Sequence, residues 1–309
     1  MAAWIRPCAF AALLFAITLS ASAAARENAE FLREAAAFRE AREAGLRSPD
    51  GWMALVGLHW LPSGRHRLGS GSDSAIQLAV GPERLGEIEL AEAAPAAAVF
   101  FLDPGVDVRL DGARAKPGRH VLRPDSSSRP TRLAFAGGSV MLIERGGRFA
   151  LRVRSATAPS LQAFKNLNWF APDPGWQVEA RFEAHPPGQT LPIVNVLGQV
   201  EPTPNPGRLH FERAGETLAL EALGDPAEEL FLVFADRSSG RESYGAGRFL
   251  YAGPVLDGRV RLDFNRATNP PCAYTDFSTC PLPPPENRLP LRILAGEARY
   301  GHSLTIPSS

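Results

Sequence analysis

Two carboxylates, Asp263 and Glu286, and one phenol, Tyr244, stand among Arg248, Arg266 and Arg288 in the last quarter of the chain. Asn265 and Asn287 flank them as short side chains that both donate and accept. A desolvated carboxyl group can move a proton as general acid or base, and two of them satisfy the minimum for glycoside hydrolysis. Arginine forks hold an anionic group in two parallel hydrogen bonds. One reading is therefore a pocket in which Arg248, Arg266, Asn265, Asn287 and Arg288 bind a ligand and Glu286, Asp263 and Tyr244 act on it. Glu242 lies in the same region and joins the set. The other reading is a clamp: Arg–carboxylate pairs also satisfy the buried ends of a proline-rich loop, whose prolines lack N–H donors.

That loop is "NPPCAYTDFSTCPLPPPENRLP", Asn269 to Pro290. Its Cys272 and Cys280 are spaced to turn the chain and bring their Cα atoms within bridging distance. A disulfide there would stabilise the fold by about 2.6 kcal/mol on the chain-entropy model. The rival is a reactive thiol, although redox pairs favour the tighter C-x-x-C spacing and no histidine lies nearby in sequence. The "PLPPPE" run predicts an extended polyproline II segment.

No nucleophile elbow, zinc-protease helix, phosphate loop or dinucleotide-binding glycine fingerprint occurs, so no cofactor is expected. The six histidines (59, 66, 120, 185, 210 and 302) are scattered without ligand spacing, and no metal is expected either. Basic and acidic residues balance at 33 each, which lacks the positive face a nucleic-acid partner requires. A small-molecule ligand remains the partner class; no protein partner can be read.

The N-terminus predicts export. Arg6 precedes the apolar run Cys8 to Leu19, and "SASAAA" offers small residues for cleavage near Ala23. The run is too short for a stable membrane anchor, so a periplasmic or secreted protein without membrane insertion is expected after removal of residues 1–23.

The elements that must position these groups follow from periodicity. Phe31, Leu32, Ala35, Phe38 and Leu46 recur at helical steps and predict a helix over 26–46, ended by the "SPDG" turn. Residues 50–155 alternate short strands with Gly, Asp and Pro turns, the pattern of a β-sandwich. Residues 156–173 loosen into a connection. From 174 to 302 eight strands are predicted, from "WQVEARFEA" to "LPLRILAGE", with turns at Ala214-Gly215 and Asp257-Gly258. No crossover helices separate them, so they form an antiparallel barrel or sandwich carrying the Pro/Cys loop. The fold class is mainly β: an N-terminal helix, a sandwich, then an antiparallel β domain. In "RVRLDFNRA", Val260, Leu262 and Phe264 face one side and Arg261, Asp263 and Asn265 the other.

Two resemblances attach to particular stretches. "RLGSGSDSAIQLAVGPERLGEIEL" resembles a degenerate forkhead-associated domain, which implies a β-sandwich for the first half. Ser70 follows Gly69 where that family has arginine, so phosphothreonine reading is not implied. "YGAGRFLYA", "LDFNRATNPPCAYTDFSTCPLPPPENRLP" and "DGWMALVGLHWL" together resemble the bacterial family known as domain of unknown function 1684, from Asp50 to Tyr300. That resemblance implies no activity. The expectation carried forward is an exported protein whose C-terminal β domain binds a small anionic or sugar-like envelope molecule. Its rivals are a hydrolase using Glu286 or Asp263 and a purely structural envelope protein.

Overall fold

In the computed structural model, residues 8–90 and 98–301 are described, with side chains from Ala25 onward. Arg6 of the predicted leader and His302 lie outside them. The opening helix, α1, runs Cys8–Arg47 and is longer than the predicted 26–46. Phe31, Ala35 and Leu46 are buried on one stripe, as helical spacing requires, whereas Leu32 points outward and is exposed. Arg42 falls on the same stripe, at a position where an apolar residue is the usual occupant.

Eleven strands follow: β1 (Leu55–Trp60), β2 (Gly64–Gly69), β3 (Ile76–Gln77), β4 (Gly86–Leu90), β5 (Ala98–Leu102), β6 (Arg109–Leu110), β7 (Ala113–Arg114), β8 (Gly118–Leu122), β9 (Arg132–Phe135), β10 (Gly138–Arg145) and β11 (Arg148–Ser155). They form two sheets, ordered β1-β11-β10-β9-β6-β7 and β3-β2-β4-β5-β8. Leu68, Ile88, Phe100 and Leu122 from one sheet meet Leu142, Leu151 and Val153 from the other in a shared core, which makes a β-sandwich. Gly146 and Gly147, both at positive φ, form the turn that joins β10 to β11.

A short helix, α2 (Pro159–Ala163), leads into eight further strands. These are β12 (Gln177–Ala184), β13 (Thr190–Val194), β14 (Val200–Pro204), β15 (Gly207–Arg213), β16 (Glu216–Asp225), β17 (Glu229–Phe234), β18 (Arg248–Ala252) and β19 (Arg259–Asp263). Six of them make one antiparallel sheet, β18-β17-β16-β15-β12-β19, curled into a half-barrel around Leu209, Leu220, Leu232, Leu250, Leu262 and Phe264. Just beyond β19, Thr268 exchanges two 2.8 Å backbone hydrogen bonds with Phe249 of β18, drawing the two ends of the sheet together.

Two predicted strands differ. "TLPIVNVLGQVE" is a hairpin of β13 and β14, because Asn195 Oδ1 accepts from the backbone of Leu197 and Gln199 and turns the chain. "LPLRILAGE" is extended but joins no ladder. Its backbone bonds are divided. Leu289 and Glu297 N–H donate to the Ala235 and Ala267 carbonyls, and the Leu291 and Gly296 carbonyls accept from Arg237 and Phe170 N–H. Arg248 donates to the Ile293 and Ala295 carbonyls, and Ile293 N–H donates to Asp236.

The hairpin also fixes the proline-rich loop. Val196 N–H donates to the Cys280 carbonyl and Leu282 N–H to the Val194 carbonyl, so Cys280–Leu282 adds to the end of β13.

Candidate functional site

The residues singled out in the sequence occupy three separate places. At the end of β19, Asp263 caps a 3-10 turn. Its Oδ1 accepts from the Asn265 N–H at 3.0 Å and from Asn265 Nδ2 at 2.9 Å, and its Oδ2 accepts from Gln177 Nε2 at 2.9 Å. Asn265 is buried and exchanges two further 2.9 Å bonds with the backbone of Asp173. Together Asp263 and Asn265 tie the end of β19 to the segment entering β12.

Arg248 is wholly buried. It donates to Asp236 at 2.7 Å and to the carbonyls of Ile293 and Ala295 at 2.9 and 2.5 Å. Burial pulls its pKa down, against the Asp236 charge that sustains it. The neighbouring Gly247 has a φ of +88°, and a Cβ there would sit 2.4 Å from Pro283 Cγ. The chain can cross the proline run only with no side chain at that point.

Asn287 is the counterpart on the loop's exit. Its Nδ2 donates to the Glu221 and Val233 carbonyls at 2.9 and 3.0 Å, and its Oδ1 accepts from Glu221 N–H at 2.6 Å. It substitutes for a missing stretch of ladder between β16 and β17. Tyr244 donates to the Cys272 carbonyl at 2.9 Å, and burial followed by that contact pushes its phenol well above the usual range. Glu286 and Arg288 are exposed beside Asn287. Glu242 pairs with Arg292.

The expected single pocket is therefore corrected. Asn287 is bonded to β16 and β17, whereas Asp263 is bonded to Asn265 and Gln177 at the junction of β19 and β12, so the two are committed to different parts of the sheet. Arg248, Asn265 and Asn287 are buried and spend their hydrogen bonds on backbone groups and carboxylates, with Arg248 Nε alone left without a partner. The clamp reading fits these three residues, together with Asp263 and Tyr244.

Arg266 is the exception. Its side chain is 45% exposed, and its nearest carboxylates, Asp263 and Glu34, stand at 3.6 and 3.8 Å, beyond hydrogen-bond reach. It overhangs a groove of about 580 Å³ between α1 and β18, lined by Phe38, Arg42, Glu229, Tyr251, Gly253 and Thr268. The Arg266 guanidinium sits 5.5 Å from the Phe38 ring centre. Tyr251 is 51% exposed and stacked on Phe231 at 4.9 Å.

The floor of this region is a network that the sequence did not reveal. Glu297, with no exposed surface, accepts from Arg42 Nε at 2.7 Å, from Asn269 N–H at 2.7 Å and from the Tyr274 hydroxyl. Arg42 also donates to the Asn269 carbonyl at 3.0 Å. Burial works against the Arg42 charge, yet Glu297 outweighs it and holds the guanidinium pKa above its ordinary value. Tyr274 is pushed up by burial and by the same carboxylate. An arginine on the apolar stripe of α1 was the available signal for a buried acidic partner.

Cys272 and Cys280 meet side chain to side chain, as their spacing led us to expect, but both are free thiols and the expected disulfide is not formed. Cys272 N–H donates to Cys280 Sγ at 3.1 Å. The hydrogen bond from the Cys272 thiol, opposed by burial, draws the Cys280 thiol down to about 7, while the Cys272 thiol, as donor, is raised. Among the described residues no group of three or more His, Cys, Asp or Glu side chains is placed to hold a metal ion.

Comparison with known proteins gives a family and no activity. No curated protein matches the chain. A solution NMR structure of an uncharacterised protein from Haloarcula marismortui is 33% identical, covering 46% of this chain and 80% of that one, with a TM-score of 0.38. The forkhead-associated resemblance finds no counterpart among these matches. A family model described as a protein of unknown function, DUF1684, matches residues 162–298. The match starts later than the Asp50 read from the sequence, leaving "DGWMALVGLHWL" and the sandwich outside it. It takes in α2, the half-barrel, the proline-rich loop and Glu297, and through this segment the chain belongs to the DUF1684 family.

Proposed function

We propose that the protein is exported and binds a small carboxylated sugar in the groove between α1 and β18. The observation that carries this reading is Arg266, a half-exposed guanidinium with no carboxylate within hydrogen-bond distance, over a groove that also holds Arg42 and the Tyr251 ring. An arginine fork favours a planar carboxylate, an exposed aromatic face favours a sugar ring, and Glu229 supplies acceptors for hydroxyl groups. Export rests on the leader-like run Cys8 to Leu19.

Calorimetric titration with D-glucuronate tests the binding, with D-glucose as neutral control and inorganic phosphate as simple anion. Glucuronate binding that is lost in Arg266→Ala, with glucose silent, is the expected result. Equal affinity for phosphate would reduce the site to a non-selective anion patch, and absence of glucuronate binding would overturn the reading. Export is tested by the mass of the chain recovered from the periplasm of an expressing cell, which should begin near Ala23.

A further inference from the structure

We propose that Cys280 is oxidised by hydrogen peroxide and that Cys272 resolves the product, closing the proline-rich loop as a disulfide. The idea rests on residues other than those of the groove and stands independently of the sugar reading. Its basis is the way Cys280 is surrounded. A thiolate needs hydrogen-bond donors and a nearby cation, and this sulfur has both. Cys272 N–H donates to it at 3.1 Å; the Ser278 hydroxyl, which accepts from the Cys280 thiol at 3.4 Å, can turn to donate once the sulfur is ionised.

The cation is Arg152, on β11 of the sandwich. It is 4% exposed, and its Nε has no hydrogen-bond partner. A buried guanidinium without an acceptor is costly. The Trp52 ring lies 5.1 Å away, and the charges that act on Arg152 are Arg145, Arg154, Asp125 and the Cys280 sulfur. Arg145 Nε donates to Thr279 at 3.1 Å, which brings the residue before Cys280 to this arginine cluster. Asp125 is already held by Arg145 in two hydrogen bonds of 3.0 and 2.8 Å. The Cys280 thiolate is thus the negative group still free to offset Arg152. The titration behaviour agrees: burial, then the other arginines, pull Arg152 down to about 10, and Arg152 in turn favours the Cys280 anion.

The oxidant must be small. Cys280 is 3% exposed, which excludes a protein disulfide and leaves a molecule of the size of hydrogen peroxide. The thiolate attacks one peroxide oxygen, the O–O bond breaks, and hydroxide leaves and is protonated to water, giving Cys280 sulfenic acid. Cys272 sulfur then attacks the Cys280 sulfur, the S–O bond breaks, and the departing hydroxide takes the Cys272 proton as a second water. Two thiols and one peroxide give one disulfide and two waters. Cys272 packs against the cluster that holds Cys280, so the resolving thiol stands beside the oxidised sulfur.

The test uses the reduced full chain exposed to peroxide and digested with trypsin. Both cysteines lie in the single peptide Ala267–Arg288. That peptide should lose about 2 Da, the mass of two hydrogens. In Cys272→Ser the reaction should stop at a sulfenic acid that dimedone traps on Cys280. Arg152→Met should slow oxidation at pH 7 about fivefold and move the midpoint of the rate–pH profile upward, since the thiolate fraction falls as the pKa rises. A midpoint shift distinguishes loss of charge from loss of folding, which would expose the thiol and speed its modification. An unreactive folded chain, no dimedone adduct on Cys280 in Cys272→Ser, a sulfinate without a disulfide in the parent chain, or an unchanged profile in Arg152→Met would each overturn the proposal.

Discussion

Arg42 on the opening helix and Glu297 near the end of the chain meet at 2.7 Å, 255 positions apart, with the carboxylate wholly buried. This contact joins α1 to the proline-rich loop, because the same carboxylate takes Asn269 N–H and the Tyr274 hydroxyl. The ion pair therefore sets the wall of the groove beneath Arg266.

Removing one partner leaves the other charged and unpaired in a low-dielectric site, which costs about 3–5 kcal/mol. Glu297→Ala and Arg42→Met should each lower the urea midpoint of unfolding by that equivalent. The double variant should be less destabilised than the sum of the two. Strict additivity in the cycle would show that the two side chains do not interact energetically.

Arg248 offers a second buried pair, with Asp236 at 2.7 Å and no exposed surface on either side chain. Arg248→Met deletes the donors for two carbonyls as well as the partner of a buried carboxylate. We expect a loss of at least about 3 kcal/mol, measured by chemical denaturation. Were Arg248 a ligand-binding residue instead, its removal would leave stability nearly unchanged.

Neighbouring residues on the loop's exit should behave oppositely. Asn287→Ala strips partners from Glu221 N–H and from two carbonyls, and should cost about 1–3 kcal/mol for each buried group left unpaired. Glu286→Gln, one position earlier and exposed, should change stability by no more than about 0.5 kcal/mol. Thermal unfolding of the two variants side by side checks the contrast.

What the sequence carried and what it did not separate along physical lines. The Phe31, Ala35, Leu46 stripe, the Asp257-Gly258 turn and the alternation of Val260 and Leu262 are local patterns, and each appears where periodicity placed it. The proposed gathering of Glu286, Asp263 and Arg248 was a long-range inference from segments close in sequence. Pairing decides such a gathering: Arg248 is spent on Asp236 and the Ile293 and Ala295 carbonyls, Asp263 on Asn265 and Gln177, and Glu286 is exposed. The same holds for Glu297, whose partner Arg42 carries no local mark beyond being a charge on an apolar stripe. "LPLRILAGE" read as a strand because its composition suits one, but its backbone bonds scatter over Ala235, Arg237, Ala267 and Phe170 and over the side chains of Arg248 and Asp236, which no alternation pattern encodes.

The last expectation concerns acid. Glu221 on β16 is 4% exposed and accepts from His185 at 2.8 Å, Asn205 at 2.9 Å and Arg208 at 2.7 Å. Burial favours its neutral form, yet these three donors outweigh that and hold its pKa below the ordinary value. A carboxylate with a depressed folded pKa binds fewer protons folded than unfolded, so it contributes stability that is complete above the unfolded value of about 4.3. That contribution disappears as pH falls through the lower folded value. Glu221→Gln removes the titration while keeping the shape. The stability gap between the parent and Glu221→Gln, read from urea unfolding at a series of pH values, should be constant above about pH 5 and should narrow below it. A gap that stays constant down to pH 2 would mean that the His185, Asn205 and Arg208 contacts do not favour the charged form.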